Sequence, residues 1–182
     1  GLKGIGVLYL RSRRTVHNIT FGGGHEDGLR SGTVNVAAAV SLAKSLRLSQ
    51  EKVEVIKAKH KEYKKLIVDE FSKYKHIVIN SPLSENFMDS IVNISLPKIK
   101  GEVIVNALND RGIMVSTTSA CSSKTFHLNE ALYARGLSKE NIEGSIRVSF
   151  SYETTRKEVE TFIEVLIDEY NKKFKEVIES GI

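Results

Sequence analysis

The chain holds a single cysteine, Cys121, among its 182 residues. An internal disulfide is therefore excluded, and this cysteine usage fits a reducing, cytoplasmic setting better than a secreted one. No apolar run comes near the roughly 20 residues that a membrane-spanning helix needs. The first residues, Gly1-Leu2-Lys3-Gly4-Ile5-Gly6, lack the long apolar segment of a secretory signal. They also open on glycine inside what reads as a strand, so the chain is expected to be a piece of a longer protein. No internal repeat and no low-complexity tract is present. Two site motifs are missing as well. No Gly-Lys-Ser/Thr follows Gly22-Gly23-Gly24, which excludes a Walker loop. Leu29 stands where the second histidine of a His-Glu-x-x-His zinc helix would be, which excludes that site at His25-Glu26.

A content of 41% hydrophobic and 27% charged residues is ordinary for a globular protein, and 20.3 kDa is enough chain to bury a substantial core. The net charge of +5 raises the question of nucleic acid. The lysines, however, are interleaved with glutamate along helical faces, as in Glu51-Lys52-Val53-Glu54, which describes a solvated helix surface rather than a phosphate-binding stripe. Arg11-Ser12-Arg13-Arg14 follows an apolar run and reads as a polar turn. Neither nucleic acid nor membrane is an expected partner.

Ile5 to Leu10 is a nearly continuous apolar run, the pattern of a strand buried on both faces. A second extended piece runs from Val16 to Phe21. From Val34 to about Phe71 the pattern is helical, with a break expected near Leu48-Ser49-Gln50. His60 on this helix reads as structural or exposed. Tyr74 to Ile79 is a short strand, and Pro82 biases Ser81 towards an extended conformation. Asp89 to Leu96 alternates, with Val92, Ile94 and Leu96 on one face and Asn93 and Ser95 on the other, and Pro97 ends it. Gly101 to Arg111 is a helix closed by Gly112 in a left-handed position. Ile113 to Val115 is a strand, and Leu128 to Arg135 a short helix ending at Gly136, after which Ser138 caps a further turn. Ser145 to Phe150 alternates, with Ile146, Val148 and Phe150 towards a core. Thr155 to Glu158 is a capping box opening a last helix with the stripe Val159, Phe162, Ile163, Leu166, Tyr170, Phe174 and Val177. This order predicts a small mixed sheet with helices packed on one face, an α+β unit, preceded by the end of a different sheet.

Three places could carry chemistry. Cys121 sits in Ser116 to Thr125, a run of small and polar residues with Lys124 close by. A neighbouring cation favours the reactive thiolate, yet an ordinary surface cysteine fits the same surroundings. The loop Gly22 to Thr33 gathers His25, Glu26, Asp27, Arg30, Ser31 and Thr33 on glycines that permit positive φ. Arg30 and Thr33 lie just before a long helix, which suits an anion or phosphate. The same residues equally describe a surface loop with Thr33 or Ser31 as a helix cap. Arg147 lies on a strand, pointing away from the core, where a fixed guanidinium could clamp a carboxylate or make a surface ion pair.

Four segments in this order resemble one family: Gly1 to Tyr9, the run Gly22 to Thr33 ending in Arg30-Ser31-Gly32-Thr33, Ser119-Ala120-Cys121-Ser122-Ser123, and Ser145 to Ser149 followed by Thr154-Thr155. Together they resemble the cysteine desulfurases of the NifS/IscS type, in the class V aminotransferase group of pyridoxal-phosphate enzymes. Ser-Ala-Cys-Ser-Ser is similar to the subgroup with a long mobile cysteine loop. The resemblance implies an α/β chain forming the C-terminal part of that fold: residues 1–33 as a remnant of the large cofactor domain, 34–72 as a linking helix or helix pair, and 73–182 as the small domain. It implies removal of sulfur from L-cysteine to leave L-alanine and a persulfide on Cys121. The persulfide then passes to a sulfur-acceptor or iron–sulfur scaffold protein, for which Cys121 could be a transient cluster ligand; no other metal site is implied. Arg147 matches the arginine that holds the substrate carboxylate. Thr33 matches the threonine that reaches the phosphate of pyridoxal 5'-phosphate in the neighbouring subunit of a homodimer, with Arg30 supporting it.

The resemblance also marks what these residues do not include. The family's cofactor lysine lies in a His-Lys pair just before the motif that here begins at Gly1, and Lys3 belongs to the motif itself. The 182 residues alone are therefore expected to be inactive. Ser151 stands where a glycine is usual, which puts the turn after Arg147 in question, and Thr117-Thr118 replaces a common Ser-Gly. Two other readings stay open: a lyase of the same fold acting on selenocysteine or cysteine sulfinate, and a non-catalytic module binding phosphate at 22–33 and a metal at Cys121.

Overall fold

A computed structural model describes residues 2–12, 16–117 and 130–179, with side chains to residue 175 in the last helix. The chain forms two compact units, Gly1–Glu54 and Val55–Ile182. Cys121 and Val177 lie outside the described residues and side chains, respectively.

In the first unit the expected strand at 5–10 is absent. The run is unpaired, and Val7, Leu8 and Tyr9 are 71%, 74% and 84% exposed. An extended backbone becomes a strand only where a neighbour takes up its N–H and C=O groups, and no described residue does so here. The piece at 16–21 likewise leaves Ile19 and Phe21 in solvent.

Helix α1, Val36–Phe71, is continuous through residues 48–50, where a break was expected. That stretch contains neither glycine nor proline, and an Arg47–Glu51 ion pair of 3.0 Å spans it. Asn35 starts the helix, its Oδ1 accepting the Ala38 N–H at 3.1 Å. No helix among the described residues is long and apolar enough to cross a membrane.

The second unit is built on four short strands: β1 (Val78–Ile79), β2 (Ile91–Ser95), β3 (Ser116–Thr117) and β4 (Ser145–Ser149). Their order in the sheet is β1-β2-β4-β3, and every neighbouring pair is antiparallel. The expected mixed sheet is thereby corrected. Helix α2 (Gly101–Asp110) does return the chain for β3 to run in the same sense as β2. The last strand, β4, then inserts between them and turns each contact antiparallel. The strand expected at 113–115 begins at Ser116, because only there does β4 offer a partner. Short helices α3 (Glu130–Ala134) and α4 (Lys139–Glu143) precede β4, and α5 (Arg156–Glu179) ends the chain.

Local signals set the helix ends. Gly112 has φ +77°, and the Gly112 and Ile113 N–H groups return to the Asn109 and Leu108 carbonyls, both at 2.9 Å. Ser138 Oγ accepts the Asn141 N–H at 3.2 Å to cap α4. Glu158 accepts the Thr155 N–H at 2.7 Å while Thr155 Oγ1 accepts the Glu158 N–H at 3.3 Å, the reciprocal capping box.

One face of the sheet carries the core. Val92, Ile94, Leu96, Ile146 and Val148 meet Tyr63, Ile67 and Phe71 of α1, Ile104 and Leu108 of α2, and the α5 stripe from Val159 to Tyr170. Phe71 and Phe162 meet edge to face at 6.1 Å. Removal of a fully buried side chain of this size from water contributes about 1.5–3 kcal/mol, so this cluster, rather than helix propensity, fixes α1, α2 and α5 on the sheet.

Two expectations follow. A Cβ at Gly144 would press into the backbone of Leu96 and stand 3.0 Å from the Ile99 carbonyl oxygen. Gly144→Ala should cost about 1–3 kcal/mol in urea unfolding, because backbone cannot yield as a side-chain tip can. Tyr170 is buried, its hydroxyl has no partner among the described residues, and burial raises its pKa. Tyr170→Phe should leave stability unchanged or raise it by about 1 kcal/mol in the same measurement; a clear loss would show that the hydroxyl has a partner.

Candidate active site

The opposite face of the sheet is polar and is organised as a row. Ser116 of β3 pairs with Arg147 of β4, and Arg147 pairs with Asn93 of β2. Asn80, just past β1, continues the register by donating its N–H to the Asn93 carbonyl at 2.9 Å. The period-2 alternation of the strands places all four side chains on the face away from the core. Arg147 is exposed, as its alternation predicted, and the structure gives it no carboxylate partner among the described residues.

Asn93 and Ser95 are not solvent-facing, although they stand opposite the core residues of β2; both are buried. Asn80 Nδ2 donates to Asn93 Oδ1 at 2.6 Å and to Ser95 Oγ at 2.7 Å. Asn93 Nδ2 donates to the Ile146 carbonyl at 3.1 Å, and Ser95 Oγ to the Asn141 carbonyl at 2.6 Å. Arg135, directly after α3, donates to the Asn80 carbonyl at 2.5 Å and lies 4.5 Å over the Phe87 ring. Buried amides and hydroxyls are tolerated because each finds a partner.

Lys64 of α1 also lies over the Phe87 ring, its Nζ 5.6 Å from the centroid. Its side chain is fully buried, its Nζ donates to the Met88 carbonyl at 3.2 Å, and Asp89 stands 3.9 Å away. Burial pushes its pKa down, against the raising effect of Asp89. Stability therefore increases as pH climbs through the lowered folded value towards the ordinary lysine value. None of Asn80, Arg135 and Lys64 stood out in the sequence, since their partners are 13 to 55 residues away. The alternation that set Asn93 and Ser95 apart from the core was the one available signal.

The turn after Arg147 is tightly held despite Ser151. Its N–H donates to Thr154 Oγ1 at 2.9 Å, and its Oγ accepts the Glu153 N–H at 3.1 Å. From α1, buried His60 contributes an Nε2 contact to the Ser151 carbonyl at 3.1 Å, and Tyr63 donates its hydroxyl to the Thr154 carbonyl at 3.2 Å. The serine supplies a turn bond of its own, and His60 is structural.

In the first unit the loop 22–33 folds on itself. Gly22 has φ +151°, and a Cβ there would meet Ser31 Cβ at 3.2 Å. The Ser31 Oγ donates to the Gly23 carbonyl at 2.8 Å. Glu26 and Asp27 both adopt left-handed φ of 53° and 55°, each at a cost of about 1 kcal/mol. Arg30 is exposed and turns its guanidinium to the Ser31 carbonyl. Thr33 is exposed. Neither Thr33 nor Ser31 caps α1; Asn35 does. A hydroxyl and a guanidinium offer donors to an anion and no acid to a metal. Among the described residues no group of three or more His, Cys, Asp or Glu converges. Arg30 and Thr33 thus belong to the first unit, Arg147 to the second, and Cys121 falls outside the described residues, five positions after Ser116.

The family model described as aminotransferase class-V matches residues 1–162. A NifS/IcsS protein homolog from Lactobacillus delbrueckii subsp. bulgaricus is 36% identical over 189 residues, covering 100% of this chain and 47% of its own length. A cysteine desulfurase IscS of Archaeoglobus fulgidus is 34% identical over 166 residues, covering 91% of this chain and 43% of its own. A solved NifS-like protein superposes with a TM-score of 0.73 at 28% identity, over 87% of this chain and 40% of that one. The chain spans less than half the length of these relatives.

The polar row yields its own expectation. Asn80→Ala would strip partners from Asn93 Oδ1 and Ser95 Oγ, both buried. A loss of about 2–4 kcal/mol in denaturant unfolding is expected. A loss below about 0.5 kcal/mol would mean the network re-pairs without it.

Proposed function

The chain belongs to the aminotransferase class-V family, and from that premise we propose that it is the C-terminal part of a cysteine desulfurase of the NifS/IscS type. The observation that carries this reading is Arg147. It is a guanidinium fixed on a strand, exposed, unpaired by any described carboxylate, and laddered to Ser116, five positions before the single cysteine. A bidentate fork of this kind suits the α-carboxylate of an amino acid.

In the proposed reaction Arg147 holds the carboxylate of L-cysteine. The Cys121 thiolate attacks the substrate sulfur; the substrate C–S bond breaks, an S–S bond forms, and the carbon takes a proton. The products are L-alanine and a persulfide on Cys121, which an acceptor or iron–sulfur scaffold protein would then receive. When bound, pyridoxal phosphate supplies the electron sink that makes the C–S bond labile. This chain's residues suit its phosphate end. The exposed Thr33 hydroxyl and the Arg30 guanidinium on the glycine-rich loop are donors, and among the described residues Arg30 donates to a neighbouring carbonyl. The lysine that would carry the cofactor is not identified among them. Lys64, whose pKa is lowered, is sealed from solvent and bonded to the Met88 carbonyl, so it suits that role poorly. On this reading residues 1–33 complete a large domain, 34–72 link it to the small domain of 73–182, and Thr33 serves the neighbouring subunit of a cytoplasmic homodimer.

The test is alanine and persulfide formation from L-cysteine by the protein carrying the residues that precede Gly1. Cys121→Ser should abolish both products. Arg147→Ala should raise KM for L-cysteine by about 100-fold, the loss of a charged hydrogen-bonded pair. Alanine formation that is independent of Cys121, or a KM indifferent to Arg147, would overturn the proposal.

A further inference from the structure

Arginines of the second unit fall into two groups. Arg111 pairs with Asp168 and Glu169, and Arg156 with Glu62 and Glu160. Arg135 and Arg147, the two tied to the polar row, have no carboxylate partner among the described residues. The chain has 22 acidic residues, so a lack of acid does not explain the difference.

The strand neighbours that the register sets beside Arg147 are neutral. Its ladder partners are Asn93 on one side and Ser116 on the other, at the roughly 5 Å Cα spacing of paired strands. Ser145 and Ser149 lie on the same face of β4, about 7 Å along the strand. Asn93 is the decisive neighbour, because it is buried and its amide is used at both ends: the oxygen takes the Asn80 Nδ2 and the nitrogen donates to Ile146. An aspartate would be the same size. It would keep the bond from Asn80, lose the bond to Ile146, and set a fixed negative charge beside the guanidinium.

We propose that the Asn80–Asn93 amide pair is a specificity device for Arg147: it sets a buried, hydrogen-bonded, neutral group at the position paired with Arg147, so that the carboxylate that pairs with Arg147 is the ligand's. Asn93 acts through Arg147 and is a positioning residue. The role of that ligand rests on the desulfurase reading, whereas the availability of the guanidinium does not.

The experiment reads the two separately. Phenylglyoxal, which modifies free guanidinium groups, is applied to the 182-residue chain and the labelled sites are mapped by mass spectrometry. Arg147 should label faster than Arg111 and Arg156, although all three are solvent-accessible. Asn93→Asp should slow labelling at Arg147 by about tenfold, the effect expected of a close, partly screened ion pair. Asn93→Ser, which removes the amide without adding charge, should keep the fast rate. Should the buried substitution prevent folding, exposed Ser149→Glu serves in its place, with several-fold slower labelling expected and the parent rate restored by Ser149→Gln. In the cofactor-loaded protein with its preceding residues, Asn93→Asp should raise KM for L-cysteine by about tenfold while kcat stays within about twofold. Arg147 labelling no faster than its paired counterparts, or labelling unmoved by either acid, overturns the proposal. So does an equal slowing by Asn93→Ser. A labelling pattern as expected with no desulfurase activity in the longer protein would leave the device standing and remove the desulfurase reading alone.

Discussion

Five residues of β2 and five of β4 run antiparallel through the middle of the sheet, and the rest of the second unit is attached to that ladder. Because side chains alternate along both strands, one pairing register creates two surfaces at once. On one, Val92, Ile94, Ile146 and Val148 meet the helices. On the other, Asn93 and Arg147 stand side by side. A slip of one residue would drive Arg147 into the core and Ile146 into the polar row. The hydrophobic pattern that holds the fold is therefore also what aims the guanidinium.

The outer strands and the nearby turns extend this arrangement. Strand β3 is only two residues long, yet its pairing with β4 sets Ser116 beside Arg147, five positions before Cys121 in the sequence. At the far end of the row Arg135 ties the region after α3 to Asn80. Behind Arg147, His60 and Tyr63 of α1 hold the turn at 151–154. Backbone carbonyls accept most of these bonds, so the anchoring does not depend on other charged groups. It leaves the polar row with two arginines, Arg135 and Arg147, that no described carboxylate pairs, and unneutralised positive charge of that kind favours an anionic ligand.

The short helices and the capping motifs could be read from neighbouring residues because their physics is local. Gly112, Ser138 and the Thr155–Glu158 box each act within a few positions. The break expected in α1 had no such local cause, and the helix passes through it. The strand expected at 5–10 shows the limit in the other direction. An apolar run has the composition of a strand, but pairing is a property of two segments, and no described segment pairs with it.

By itself the sequence determined the helices, the alternation of β2 and β4, the outward aim of Arg147 and, through its glycine-rich and cysteine motifs, the resemblance to the desulfurases. These depend on short periods and nearby residues, which a linear chain displays directly. Only the tertiary structure decided that β4 enters between β2 and β3, that Asn80, Asn93 and Arg135 meet across up to 55 residues, and that the second face of β2 is buried. Those outcomes depend on which distant segments share a surface, and their energies exist only once the chain has closed on itself.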